Sequence, residues 1–324
     1  MRPALLLALA LALAACGDDG GGPVADAADT TVADTTVDDT AVADTTVADT
    51  AVADTTVADT TATDTAAPTE VAATPGARCA LTDRVGLVQI ELQSDDPVLV
   101  FATASFFDRP NPWYGAPELT SDDCAFFRFA PTAACDAPCD EGEVCGLDGA
   151  CVPAQAARED AAFTLVAGEA TQSIPRSEGS DTYWAQVTLS GTAFGVAVTL
   201  GGVRVTAAET AIPGDLTGLD GTLSGGYEAP TGLVVSWDAP SDGGDVTTTI
   251  PINHHAGGPT FTDCRVAASE GGFEVGEAML APLAVATGLE FQGVEHVRFA
   301  AAETAAGCVE IRWLRRFYPG FVHE

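Results

Sequence analysis

Lysine is absent from this 324-residue chain, and all 13 of its basic residues are arginine. The absence excludes a P-loop lysine, a Schiff-base lysine and a Ser-Lys dyad, because each of those chemistries uses the ε-amine itself. With abundant Ala and Gly alongside, codon bias is the simplest account of arginine without lysine. Against the 13 cations stand 47 acidic residues, for a formal net charge of -34. A chain with no basic face cannot neutralise phosphates, so no nucleic acid is expected as partner. Histidine is also scarce: His254, His255, His296 and His323 are the only four. They are scattered, and adjacent His254 and His255 would point to opposite faces of a strand. They are read as solvated loop residues, and neither a metal nor a cofactor is expected. The motifs His-Glu-x-x-His, Gly-x-Ser-x-Gly and Gly-x-Gly-x-x-Gly are all missing. A triad assembled from distant loops stays open. No apolar run approaches the ~20 residues of a bilayer span.

What is present begins with Arg2, an alternating Leu/Ala run from Leu5 to Leu13, and Leu13-Ala14-Ala15-Cys16. This is the anatomy of a secretory signal. The tetrapeptide resembles the lipobox of bacterial lipoproteins. That resemblance implies removal of residues 1–15, a diacylglycerol on the Cys16 sulfur and acylation of the new N-terminus, and several chains together anchor stably. The expected location is therefore outside the cytoplasm, lipid-anchored to the cell envelope at the outer membrane, periplasmic or cell surface. An ordinary signal peptide ending at an Ala-x-Ala site is the alternative.

Residues 16–76 carry the lipidated cysteine and a repeat whose usual unit is Val-Ala-Asp-Thr-Thr, with Asp at 29, 34, 39, 44, 49, 54, 59 and 64. A period of five matches neither the 3.6 of a helix nor the 2 of a strand. Pentapeptide β-helices fill their coil with Leu or Phe, whereas Thr follows the Asp here. From Gly17 to Gly76 there are 13 acidic residues and no basic or aromatic one, the composition of a disordered stalk. As a coil it would span roughly 40 to 50 Å, more if its charge extends it. O-glycans on its threonines are one hypothesis.

The remaining residues are expected to form an all-β head: antiparallel β-sandwich domains with a small disulfide-rich insertion. The N-terminal β domain is placed at 77–228, with a Cys-rich knot at 135–153, and the C-terminal β-sandwich at 229–324. Whether 77–324 is one domain or two stays open. Val88, Ile90 and Leu92 alternate with polar neighbours as a half-buried strand does. A second strand runs from Val98 to about Phe107 and breaks at Asp108-Arg109-Pro110-Asn111-Pro112, since two prolines cannot sit in a central ladder. A turn at Glu303 to Gly307 makes the last two strands a hairpin.

Beyond Cys16 the cysteines are Cys79, Cys124, Cys135, Cys139, Cys145, Cys151, Cys264 and Cys308. An even set in an exported chain reads as disulfides. Cys79 with Cys124 would staple the first unit, leaving Cys264 for Cys308. The Cys135-x3-Cys139-x5-Cys145-x5-Cys151 spacing resembles EGF-like or knottin-like clusters. Of its three connectivities, Cys135 to Cys145 with Cys139 to Cys151 is preferred, and a zinc site is the alternative.

Two further groups were candidates for chemistry. Asp238, Asp242 and Asp245 have spacing that suits calcium but lack the complete EF-hand pattern, so a solvated turn is preferred. Arg312, Trp313, Arg315, Arg316, Phe317 and Tyr318 interleave cation and aromatic as a candidate binding patch for a glycan or acidic partner. The alternative is a last strand with arginines on its solvent face. Pro230 through Trp237 to Pro240 resembles the opening of a fibronectin type III domain over about twelve residues, with two family strands compressed into one.

Lipobox, acidic repeat stalk, the cysteine cluster ending Cys151-Val152-Pro153 and the Trp-x-x-Pro β domain together resemble a class of predicted surface lipoproteins of large-genome predatory Gram-negative bacteria. The class has no characterised activity. The resemblance implies a non-catalytic envelope lipoprotein that presents a tethered β head for binding or structural contact, with an envelope protein or a glycan as partner. The competing readings are a secreted hydrolase with an unrecognised carboxylate site and a purely structural spacer.

Overall fold

A computed structural model describes residues 67–319 and 321–323, apart from 129–134, 136, 227, 253–259 and 285–292. The signal segment, Cys16 and the Asp-Thr repeat lie outside the described residues, as do His254 and His255.

Strands dominate. The chain begins with β1 (Thr69–Ala72) and β2 (Thr74–Pro75), then the long hairpin of β3 (Arg84–Asp95) and β4 (Val98–Phe106). Short β5 (Leu119–Thr120) and β6 (Cys124–Phe127) precede the two-stranded knot of β7 (Glu143–Cys145) and β8 (Cys151–Pro153). Next come β9 (Ala162–Ala167), β10 (Ala170–Ile174), β11 (Thr182–Leu189), β12 (Ala193–Leu200) and β13 (Val203–Ala211). They are followed by β14 (Asp220–Ser224), β15 (Gly232–Ser236), β16 (Asp245–Pro251), β17 (Phe261–Ala267) and β18 (Gly272–Gly276). The chain closes with helix α1 (Glu277–Ala284), β19 (Val294–Thr304), β20 (Gly307–Phe317) and β21 (Phe321–His323).

One ten-stranded sheet organises the molecule, in the order β11-β4-β3-β20-β19-β16-β17-β6-β5, with β2 on β19. A five-stranded sheet (β1-β13-β12-β9-β10) packs against one end, enclosing a core that includes Val88, Ile90, Phe163, Phe194, Ile311 and Trp313. A four-stranded sheet (β18-β15-β14-β21) and α1 pack against the other end around Phe126, Leu233, Trp237, Ile250 and Leu280. The protein is therefore all-β, two sandwiches that share a sheet, with the knot as a small insertion. Alternation shapes the middle of β3, where Val88, Ile90 and Leu92 are buried, with less buried residues between them. The β19–β20 turn needs glycine, since Gly307 has φ 136° and a Cβ there would lie 2.7 Å from the Asp83 carbonyl oxygen.

Most pairings are antiparallel, but β20 runs parallel to β3, β1 to β13 and β14 to β21. The β3–β20 pairing, together with β6–β17, carries the large sheet across the boundary expected at residue 228. Residues 63–324 accordingly form one compact unit.

Two expectations are corrected. The stalk expected through residue 76 gives way to strand by Thr69: the Asp-Thr unit has ended, and Thr69-Glu70-Val71-Ala72 offers a backbone ladder to the edge of β13. The long-range bridges are Cys79–Cys308 and Cys124–Cys264, not Cys79–Cys124 with Cys264–Cys308. Sheet register decides this. Cys124 and Cys264 are directly opposed on β6 and β17, with Cα atoms 4.1 Å apart. The parallel β3–β20 contact sets Cys308 opposite Arg84, beside the segment that carries Cys79. In the knot Cys135 pairs with Cys145 and Cys139 with Cys151. The three sulfurs of Cys135, Cys139 and Cys151 are mutually close, but they belong to these bridges and are not thiolates available to zinc.

Candidate functional site

The candidate patch on the last strand is not an exposed stacking surface. Trp313 is fully buried in the first core, and its indole Nε1 donates to the Phe194 carbonyl at 2.9 Å. Phe317 packs against the second core. Arg315 is paired with Asp95 and Asp215, and Arg316 with Glu295. Only Tyr318 stays open to solvent. Strand β20 is interior, between β3 and β19, so it has no free edge, and its faces are covered by the first core on one side and by the segment carrying Arg78 and Cys79 on the other.

His296 is a core residue rather than a solvated one. Its Nδ1 lies 2.9 Å from the Gly214 carbonyl and its Nε2 2.8 Å from that of Gly243. Asp238, Asp242 and Asp245 do not converge. Asp238 accepts from the Thr217 hydroxyl, Asp242 meets Arg298 and the Gly214 amide, and Asp245 meets Arg265. The His323 side chain is outside the described residues.

The opposite face of β19 and β20 carries a buried charge cluster. Glu310 is fully buried. It accepts from Arg312 Nε at 2.7 Å and from the Cys79 amide at 2.9 Å, with Arg78 and Arg84 each 3.7 Å away. The guanidinium carbons of Arg78, Arg265 and Arg312 lie 4.8, 4.9 and 5.5 Å from the centroid of the Phe299 ring. Burial alone pushes the Glu310 carboxyl up, and Arg312, Arg78 and Arg84 together reverse this, so its pKa ends below the ordinary value. Arg84 fares differently. Burial and the neighbouring Arg312 lower its pKa, and Glu310 only partly offsets them. Three cations share one carboxylate. Arg78 has a second partner in Asp263 at 3.2 Å, Arg312 holds Glu310 closely, and Arg84 is left the long contact.

Arg84 borders a concavity. One cavity of about 260 Å³ is lined by Arg84, Leu87, Ser105, Asn111, Tyr114 and Gln155 among others. A second, of about 470 Å³, lies between the 109–114 loop and the knot, touching Gly146, Asp148 and Val152. Asn111 and Tyr114 line both, so the two form one groove. Its walls are pinned. The Trp113 indole donates to the Cys145 carbonyl, and the Gln155 amide to the Arg109 carbonyl at 3.0 Å. Asp108 accepts from Arg109 and from the Ala156 amide, which hold its carboxyl below the ordinary range. Tyr114 meets Phe261 edge-on, with centroids 6.1 Å apart. The Asn111 Oδ1 accepts from the Trp113 amide, the local turn that two flanking prolines impose.

Composition alone did not point to this groove. Its one legible signal was Trp113-Tyr114 directly after a double-proline loop, in a chain only 7% aromatic.

These features define the class of the protein as an all-β, disulfide-braced sandwich with a small cysteine knot. No family model matches the chain. No curated protein matches it either. Among solved structures it is similar to the crystal structure of the chicken CNTN1 FN1-FN3 domains, at 10% identity over 68% of this chain and 77% of that one. The TM-score is 0.16, so the fold assignment rests on the strand pairing described above.

Proposed function

We propose that this protein is a lipid-anchored envelope lipoprotein with no catalytic role, whose β head binds an envelope component in the groove between the 109–114 loop and the knot. The groove itself carries the reading. A concavity with aromatic and amide walls, held rigid by two disulfides and a set of side-chain hydrogen bonds, is preorganised to receive a ligand. The lipobox resemblance and the repeat stalk supply the anchor and the reach.

The hydrolase alternative needs paired carboxyls with separated pKa values. Asp108, beside the groove, is held ionised by Arg109 and is a poor acid at neutral pH. The test has two arms. Palmitate labelling should be lost in Cys16→Ala, with the head released in soluble, disulfide-bonded form. A glycan array and a pull-down of defined envelope fractions should give signals that Tyr114→Ala abolishes. Empty results in both binding assays would sink the binding role.

A further inference from the structure

The groove has one cation on its wall, Arg84, whose ion-pair partner among the described residues is a carboxylate shared with two other arginines. Arg84 is only 18% exposed, and its nearest anion, Glu310, is 3.7 Å away and already committed to Arg312 and the Cys79 amide. A guanidinium offers five N–H donors in a planar fork that matches a carboxylate. The other cation near the groove, Arg109, is bound to Asp108 through both Nε and Nη2.

The rest of the lining matches hydroxyl groups. Ser105 supplies a hydroxyl and Tyr114 a phenol, while Asn111 uses its oxygen on the Trp113 amide and keeps its amide donors for a ligand. Gln155 uses its donor on the Arg109 carbonyl and keeps its oxygen. Leu87 and Phe107 supply apolar surface. At about 260 Å³ the inner cavity is just below the ~300–1,000 Å³ of sites for drug-sized ligands, which sets the scale at one sugar ring. The outer cavity of about 470 Å³ shares Asn111 and Tyr114 with it and would take the next unit of a chain.

We propose that the inner cavity binds the carboxylate of an acidic sugar, with Arg84 as its counter-ion and Asn111, Tyr114 and Gln155 meeting its hydroxyls. A single guanidinium with a shared counter-ion suits a monoanion better than a dianionic phosphate. The proposal deepens the reading of the groove as the binding face and rests on it.

Calorimetric titration of the full-length protein in detergent with D-glucuronate, D-glucuronamide, glucose, N-acetylalanine and inorganic phosphate tests it. Glucuronate should bind about tenfold or more tightly than its neutral amide, the loss expected when a charge-assisted pair is replaced. Arg84→Gln should erase that preference, and Arg84→Lys should keep part of it. Equal affinity of the wild-type protein for acid and amide overturns the proposal, and that comparison needs no variant to fold. So does undiminished glucuronate binding by Arg84→Gln with all four disulfides formed. N-acetylalanine or phosphate binding as tightly as glucuronate overturns the sugar assignment. Glucose bound in a Tyr114-dependent way, without preference for the acid, overturns the anion and leaves the binding groove standing. Silence from every probe overturns the anion, and together with an empty glycan array and pull-down it overturns the binding head as well.

Discussion

Strand β20 presents two opposed environments one residue apart. Val309, Ile311 and Trp313 enter an apolar core where, of these three side chains, only the indole N–H needs a partner. Glu310 and Arg312 enter an equally enclosed space on the other face, where every charge needs one. Apolar burial is additive and tolerant of neighbours, while burial of charge is conditional on the whole set. Glu310 is shared among Arg78, Arg84 and Arg312, and of these Arg78 has a second carboxylate within ion-pair distance, Asp263. Arg84, which has the long contact to Glu310, lies on the wall of the groove.

The comparison breaks most sharply at Trp313. Trp313→Ala removes the largest fully buried side chain and strands the Phe194 carbonyl. A loss of about 4–5 kcal/mol is expected in denaturant unfolding of the oxidised protein. On the other face, Glu310→Ala leaves three guanidiniums without their shared anion and should cost about 3–5 kcal/mol. A loss below that of an ordinary surface change would mean that solvent reaches the cluster.

Titration sharpens the contrast, because only the charged face depends on pH. Glu310 has a folded pKa below the ordinary 4.5, so its contribution is complete above that value and is lost as pH falls through the folded value. Glu310→Gln should flatten this acid limb, whereas Trp313→Phe should leave its slope unchanged. The smallest effect is expected at Asp160, whose pKa is lowered to about 2 by the hydrogen bond from Arg158. Its carboxylate is 54% exposed, so screening reduces the pair to about 0.2–1 kcal/mol. Asp160→Asn should move the midpoint by no more than that and remove the component lost between pH 3.8 and about 2.

Much of the strand layout was legible because alternation is a local property. Val88, Ile90 and Leu92, the break at Pro110 and Pro112, and the turn before Gly307 all follow from neighbouring residues. Pairing across the chain was not. Cys79 meets Cys308 only because β20 docks parallel to β3, at a sequence separation of 229, and no local pattern records that. The Arg312 to Tyr318 run shows the same limit. Its alternation was visible, but which face another segment covers depends on where residues 76–83 cross the sheet. The groove draws on residues 81–87, 105–114 and 146–155, three stretches that look unrelated until folded.

The placement of Cys79 has a mechanical side. The chain arrives through β1 on one sheet and β2 on another, and is then welded to Cys308 five residues before β3 begins. A pull on the chain at Thr69 meets the β1–β13 ladder and the β2–β19 pairing first, and the Cys79–Cys308 bridge then hands it to β20. Past Cys79 the load is spread into the middle of the ten-stranded sheet, where β20 is held by β3 on one side and β19 on the other, instead of being carried by the entering strand alone.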